Sequence, residues 1–469
     1  MPERKSLHLI PSVEVLLHDE ELEPVLEGLP RALAVECVRS AVSQARERLL
    51  TEPAQDADER DLRASILSAV RRAACELGGP HYRRAVNGTG IILHTGLGRA
   101  VLAPRALRQI REELSGYSVL QVDTETGERS QRDGRIEWLL RKLTGAGAAT
   151  VVNNNAAATL IVLNTVARGR GVIVSRGQLV EIGGSFRLPE VMAASGARMI
   201  EVGTTNRTHP RDYENAITED TAAILRVHPS NYRISGFTSE VPLTDLARIA
   251  HARGLVLIDD VGAGALIDLS RSGFAAEPTL PDSIRAGADL VTCSADKLIG
   301  GPQGGIILGR ADLVQAVRRN PLARALRVDK VTLAALEATL MLFLDEELAL
   351  SEVPCLRMLH RGLGEIAVQA ERMARAVRER VPKGEVAAVE GFSQMGSGSL
   401  PEQNLPTMLL AVGPAKISPD ELALRLRRHS PPVFARIQAG RMLVDPRTLL
   451  EGDEEVVVEA LVEALGREG

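Results

Sequence analysis

The stretch Ser294-Ala295-Asp296-Lys297-Leu298-Ile299-Gly300-Gly301-Pro302-Gln303-Gly304-Gly305 decides the reading of this chain. An apolar run ending at Val291 and Thr292 leads into it, and a second run, residues 306–308, follows. A lysine at the end of a buried strand, before a glycine-rich turn, has its amine in a poorly solvated pocket. Desolvation disfavours the ammonium and lowers the pKa, which frees the amine to form a Schiff base with an aldehyde. The aldehyde this setting suggests is pyridoxal 5'-phosphate (PLP). A solitary lysine before a glycine turn is most often a solvated surface residue, so the reading depends on its surroundings.

Outward from this lysine, residues 85–330 alternate short apolar runs with helical patterns. The runs are 149–153, 171–174, 198–202, 222–227, 255–259, 290–293 and 305–308, rich in Val, Ile and Leu. Buried parallel strands with crossover helices read this way. In such a sheet, ligands bind beyond the carboxyl ends of the strands. The polar residues that follow the runs are therefore the candidates for chemistry.

Asn153, Asn154 and Asn155 follow one run, and a helix pattern begins at Ala156. Backbone N–H groups and the positive helix end suit a phosphate there, although an ordinary Asn N-cap reads the same way. Asp259 and Asp260 end another run. A carboxylate at a strand end can pair with a protonated pyridine nitrogen and keep the cofactor an electron sink. Asp259, the first acidic residue after the strand, is the favoured partner, with Asp260 the alternative. Arg324 and Arg327 lie one helical turn apart, and Arg99 follows Gly96-Leu97-Gly98. Clustered guanidinium forks suit a phosphate-like anion. Gly88-Thr89-Gly90 lacks the full dinucleotide fingerprint. His228-Pro229 places a single histidine at a strand end, equally readable as pocket-lining or structural.

At 469 residues the chain is long enough for two or three domains. Residues 1–80 read as a helical domain, 81–330 as the cofactor-binding domain and 331–469 as a small α+β domain. Within the first, Leu33, Val35 and Val38 suggest one amphipathic helix and residues 62–77 another, with a charged loop over 51–61. Arg39, Arg46, Arg48, Arg63, Arg71, Arg72, Arg83 and Arg84 make it arginine-rich, which solvated helix faces also explain. In the third region, a helical stretch over 331–350 precedes strand patterns at 407–412, 432–437 and 441–444. Aromatics are only 2% of the chain, which disfavours a base-stacking RNA platform, and the net charge of -5 confines any RNA contact to a local basic patch. The four cysteines are far apart, which argues against a zinc site or a disulfide framework. The N-terminus has no signal-peptide pattern and no apolar run reaches membrane-spanning length, so the expected compartment is the cytoplasm.

The chain resembles the bacterial selenocysteine synthase family, the L-seryl-tRNA(Sec) selenium transferases. The resemblance rests on Asn87-Gly88-Thr89-Gly90 with His94-Thr95-Gly96-Leu97-Gly98-Arg99, Val151-Val152-Asn153-Asn154-Asn155-Ala156-Ala157-Ala158 and Ser175-Arg176-Gly177. It extends through Glu181-Ile182-Gly183-Gly184-Ser185-Phe186-Arg187, Ser230-Asn231-Tyr232-Arg233-Ile234, Ile258-Asp259-Asp260 and Ser294-Ala295-Asp296-Lys297. It implies an α/β, fold-type I PLP-dependent transferase with a mostly parallel central sheet, an N-terminal helical domain and a small C-terminal α+β domain. It implies conversion of seryl-tRNA(Sec) to selenocysteinyl-tRNA(Sec) with selenophosphate, through a PLP-bound dehydroalanyl intermediate. Lys297 is then the Schiff-base lysine, with Asp296 beside it in the active site. Asp259, Asn154, Asn155, Ala156 and Ser294 are the other cofactor contacts expected. Arg99, Arg324 and Arg327 form the expected anion site for the selenium donor. The helical domain would grip the tRNA, and the assembly would be a homo-oligomer, a decameric ring of dimers. Two places depart from the family pattern: Glu128-Arg129-Ser130-Gln131-Arg132-Asp133 is less glycine-rich than expected, and Gln178 stands where an acidic residue is expected. The competing reading is a PLP lyase of the same superfamily acting on a small amino acid or sugar acid, with Arg436 as a carboxylate clamp. Phe186 is a candidate to cover the cofactor ring.

Overall fold

The computed structural model describes residues 4–51, 59–184, 186–382, 385–401, 403–413 and 417–466. Ser185 and residues 52–58 of the expected charged loop lie outside them. The chain divides into two compact units, Met1–Arg84 and Ala85–Gly469.

The first unit is helical. Its long helices are α1 (Arg31–Thr51) and α2 (Glu59–Gly78). The α1 core stripe is Ala34, Cys37, Val38, Ala41, Val42 and Ala45, with i, i+3, i+4 spacing. It packs with Ile66, Leu67, Val70 and Ala74 of α2 and with Leu16, Leu22 and Leu26. Of the three apolar residues singled out on sequence, only Val38 lies in the stripe; Leu33 and Val35 are half-buried. Three alanines and Cys37 share the buried face with Val38 and Val42. Arg63 pairs with Asp19 and Glu21, and Arg71 with Glu21, whereas Arg39, Arg46, Arg48 and Arg72 are exposed.

The second unit is built on a seven-stranded sheet: β1 (Ala148–Val152), β2 (Gly171–Ser175), β3 (Arg198–Val202), β4 (Thr221–Val227), β5 (Val256–Gly262), β6 (Leu290–Ser294) and β7 (Gly305–Gly309). Their order is β1-β7-β6-β5-β4-β2-β3. Only β7 runs against its neighbours; the remaining pairs are parallel. Each of the seven expected runs lies on one of these strands. Most are buried on both faces, as a sheet covered by helices requires. The carboxyl ends of β1, β4, β5 and β6 and the start of β7 meet at one edge, because Val152 pairs with Gly305, Gly305 with Ser294, and Val227 with Asp260.

Helix α3 (Asn155–Ala167) leaves this edge directly after β1. Gly305 is what lets it start there: a Cβ at this position would lie 2.0 Å from the Asn154 carbonyl oxygen. Helix α4 (Lys330–Leu342) is shorter than the 331–350 stretch read as helical. It ends at Leu342, and a separate helix, Glu346–Glu352, restarts behind the Asp345 side chain, which caps Leu348 N–H. The C-terminal layer is an antiparallel sheet of β8 (Glu385–Ser393), β9 (Leu405–Gly413), β10 (Arg436–Gln438) and β11 (Arg441–Val444), in the order β8-β9-β11-β10. Residues 86–87 pair with 433–434, and Ile91 bridges Gln394, so this early segment runs beside the C-terminal layer although it precedes the large sheet in sequence.

Gly305→Ala should destabilise the fold by about 1–3 kcal/mol through overpacking at the β7–α3 junction. Chemical denaturation checks this. A glycine-like midpoint would show that the junction has slack.

Candidate active site

The edge where these strands end carries a cleft of about 320 Å³. Its wall includes Lys297, Asp296, Ser294, Asn154, Asn155, Ala156 and Arg99. Seven residues proposed from sequence, scattered over two hundred positions, are therefore brought together.

Lys297 is 6% exposed. Burial, helped by the Arg99 guanidinium, pushes its amine below the ordinary lysine value. Asp296, Asp260 and Glu277 pull the other way by charge. Arg99 Nη1 donates to Asp296 Oδ2 at 2.8 Å. Arg99 itself sits at φ 62°, in the left-handed region that a non-glycine residue rarely adopts. Strain of this kind costs of order 1–3 kcal/mol and persists where the surroundings hold it; here the Arg99 N–H is tied to His94 O at 3.0 Å.

The carboxylate that faces the cleft is Asp260, not Asp259. Successive strand residues point to opposite faces. Ile258 and Asp260 face α3, where Asp260 accepts from Asn155 Nδ2 at 2.9 Å and Thr159 Oγ1 at 3.0 Å. Asp259 faces the other side, where Arg226 Nη1 donates to it at 2.8 Å and Ser283 Oγ at 2.6 Å. Asp259 is fully buried and Arg226 partly so, and neither lines the cleft. Burial raises the Asp260 carboxyl pKa, against the lowering effect of the Asn155 and Thr159 hydrogen bonds.

Asn154 is the N-cap of α3, its Oδ1 accepting from Ala157 N–H at 2.8 Å. The cap leaves the first-turn N–H groups of Asn155 and Ala156 without an intrahelical partner, and both residues line the cleft. The Oδ1 of Asn155 is also buried without a hydrogen-bond partner. A phosphate-bearing pyridine aldehyde fits these groups: helix N–H donors for its phosphate, Asp260 for a protonated ring nitrogen and the Lys297 amine for its carbonyl carbon.

Arg324 and Arg327 do not line the cleft. The helix expected to align them spans only Leu322–Ala325. Arg327 lies beyond it and bridges Val152 through its backbone. Both are exposed. Arg436 donates to Phe392 O at 2.8 Å and is likewise absent from the cleft wall. Gln178 is buried, its Oε1 accepting from Val227 N–H at 3.1 Å, so the amide supplies the acceptor a carboxylate would give there. Arg132, in the other departing stretch, donates to Val328 O at 3.0 Å.

Phe186 and His228 both line the cleft. Glu277 was missed on sequence, because it lies in a loop with no motif around it. Its only signal is three-dimensional: it is 7% exposed, and its Oε2 is 3.3 Å from His228 Nε2. Among the described residues, no group of three or more His, Cys, Asp or Glu side chains could hold a metal ion, and no helix is long and apolar enough to cross a membrane.

In the cofactor-free protein, competitive labelling with acetic anhydride should modify Lys297 with a pH midpoint below 10.5. The sign follows from burial: the neutral amine is favoured in the fold, so the reactive form appears at lower pH. A midpoint at or above that value would place the amine in solvent.

The architecture has a counterpart in the solved D-glucosaminate-6-phosphate ammonia-lyase, with a TM-score of 0.57 at 20% identity over 84% of this chain and 97% of that one. The fold is that of fold-type I PLP enzymes. The family model for L-seryl-tRNA selenium transferase matches residues 85–450, and that for the selenocysteine synthase N-terminal region matches residues 8–46. An L-seryl-tRNA(Sec) selenium transferase of Geobacter sulfurreducens is 46% identical over 97% of this chain and 98% of its own length. One of Nitratidesulfovibrio vulgaris is 46% identical over the same shares. The chain belongs to the L-seryl-tRNA(Sec) selenium transferase family.

Proposed function

We propose that this chain converts L-seryl-tRNA(Sec) to L-selenocysteinyl-tRNA(Sec), with PLP as cofactor and selenophosphate as selenium donor. The observation that carries the reading is the buried, pKa-lowered Lys297 amine sharing one cleft with Asp260 and the α3 N-terminus, in a chain that matches the family along nearly its whole length.

Bound PLP supplies an electron sink for negative charge developing at the serine Cα. Lys297 would hold its aldehyde carbon, Asp260 its ring nitrogen, and the N–H groups of Asn155 and Ala156 its phosphate. The Lys297 Nζ would then take the serine Cα proton. Burial favours this, because the neutral amine is the form the pocket stabilises. Asn155 and Thr159 fix the Asp260 carboxylate by hydrogen bonds, so its charge stays aimed into the cleft. Asp296 holds the Arg99 guanidinium, which leaves further N–H donors for an incoming selenophosphate.

Arg324 and Arg327 remain the proposed companions of Arg99 for that anion. They stand outside the cleft wall of the single chain, with Arg327 anchored beside Val152, the last residue of β1. The helical unit, with exposed Arg39, Arg46, Arg48 and Arg72, is proposed to hold the tRNA. The proposed assembly is a decameric ring of dimers working in the cytoplasm.

Purified protein should convert radiolabelled seryl-tRNA(Sec) to selenocysteinyl-tRNA(Sec) only with selenophosphate present. Lys297→Ala should lower turnover by at least about 10²–10⁴-fold. The double variant Arg324→Ala/Arg327→Ala should retain the cofactor but raise the KM for selenophosphate about 10–100-fold. Serine recovered unchanged by the PLP-loaded wild type would move the reading to a lyase of small substrates. An unaltered KM would remove these two arginines from the anion site.

A further inference from the structure

Loss of the serine hydroxyl as water needs a proton at that oxygen, and Lys297 is engaged at Cα. The cleft holds a second side chain able to carry one. His228 follows β4 directly, its backbone N–H donating to Asp260 O at 2.9 Å. This ladder bond carries the sheet one residue past Val227 and places His228 on the cleft wall, in company with Lys297 and Ser230.

The ring has a partner behind it. Glu277 Oε1 accepts from Leu400 N–H at 2.9 Å. Its Oε2 is buried, has no hydrogen bond, and lies 3.3 Å from His228 Nε2. A buried carboxylate oxygen without a donor is costly, and a charged imidazolium beside it relieves that cost. The segment bearing Glu277 is pinned on two sides: Thr279 bridges Ala265, and Leu400 anchors the carboxylate. Arg99, Asp260, Asp296 and Lys297 are the other charged side chains on this cleft.

We infer that His228 is a catalytic residue, the proton donor to the departing serine hydroxyl, and that Glu277 is the positioning residue that holds its ring. This rests on the function proposed above. Lys297 Nζ first takes the Cα proton, reversibly, and the electron pair left at Cα then forms the Cα–Cβ double bond. The Cβ–O bond breaks with its electron pair on oxygen, the imidazolium proton passes to that oxygen, and water leaves. The imidazole is left neutral. It recovers a proton from the Se–H of the donor as selenium bonds to Cβ and Lys297 returns a proton to Cα. Water then cleaves the Se–P bond and releases phosphate.

The test uses PLP-loaded protein and seryl-tRNA(Sec) tritiated at Cα, without selenophosphate. Tritium release reads the Lys297 step, and pyruvate recovered after hydrolysis of the aminoacyl ester reads water loss. His228→Gln should lower water loss about 10²–10⁴-fold and lower tritium release far less. Added imidazole should restore water loss in His228→Gly. In cofactor-free protein, the ring ¹⁵N signals of His228 should move on Glu277→Gln, and Glu277→Asp should recover part of the wild-type water loss. Wild-type water loss in His228→Gln, equal loss of both steps, or unmoved ring signals would overturn the inference. A wild type that neither releases tritium nor eliminates water contradicts the proposed function instead.

Discussion

The alternation of side chains along β5 is the constraint on which this site depends. Two adjacent carboxylates stand at one strand end, and the pleat sends them to opposite faces. Asp259 closes an internal ion pair with Arg226 and a hydrogen bond from Ser283. Asp260 enters the cleft and is held by α3. A one-residue shift in register would exchange these roles. It would turn Asp259 away from Arg226 and Ser283, and Asp260 away from Asn155 and Thr159. Breaking such a buried pair by removing one partner destabilises by about 3–5 kcal/mol, so the internal pair fixes the register that positions the catalytic face.

The rest of the cleft follows from close approach at the same edge. Gly305 lets β7 pass the Asn154 carbonyl. The first turn of α3 therefore opens beside the strand end that delivers Ser294, Asp296 and Lys297. The lysine is desolvated by this packing, and the same packing puts Arg99 near enough to act on its amine. The first turn of α3, Asp260 at the end of β5 and Lys297 after β6 therefore share one cleft.

Much of this was legible in the sequence because strand ends in a parallel sheet are marked by apolar runs that stop at polar residues. All seven runs lie on strands, and residues following four of them, among them Asn154, His228, Asp260 and Lys297, meet at the cleft. What was not legible depended on orientation. Choosing between Asp259 and Asp260 required knowing which face α3 covers, and the structure turns Asp260, the alternative, toward the cleft. Arg324 and Arg327 are three apart, but the helix ends at Ala325, so helical spacing did not apply. The core of α1 runs along Ala34, Cys37, Val38, Ala41, Val42 and Ala45, so only Val38 of the three residues read as core lies in the stripe. Glu277 meets His228 from a loop 49 residues downstream, a separation no local pattern encodes.

The most direct measurement is ¹⁵N NMR of the protein loaded with PLP labelled at its ring nitrogen. The account predicts a protonated ring nitrogen in the wild type that loses its proton in Asp260→Asn and keeps it in a folded Asp259→Asn variant. A ring nitrogen unaffected by Asp260→Asn and deprotonated by Asp259→Asn would contradict the assignment of faces on which the whole site has been built.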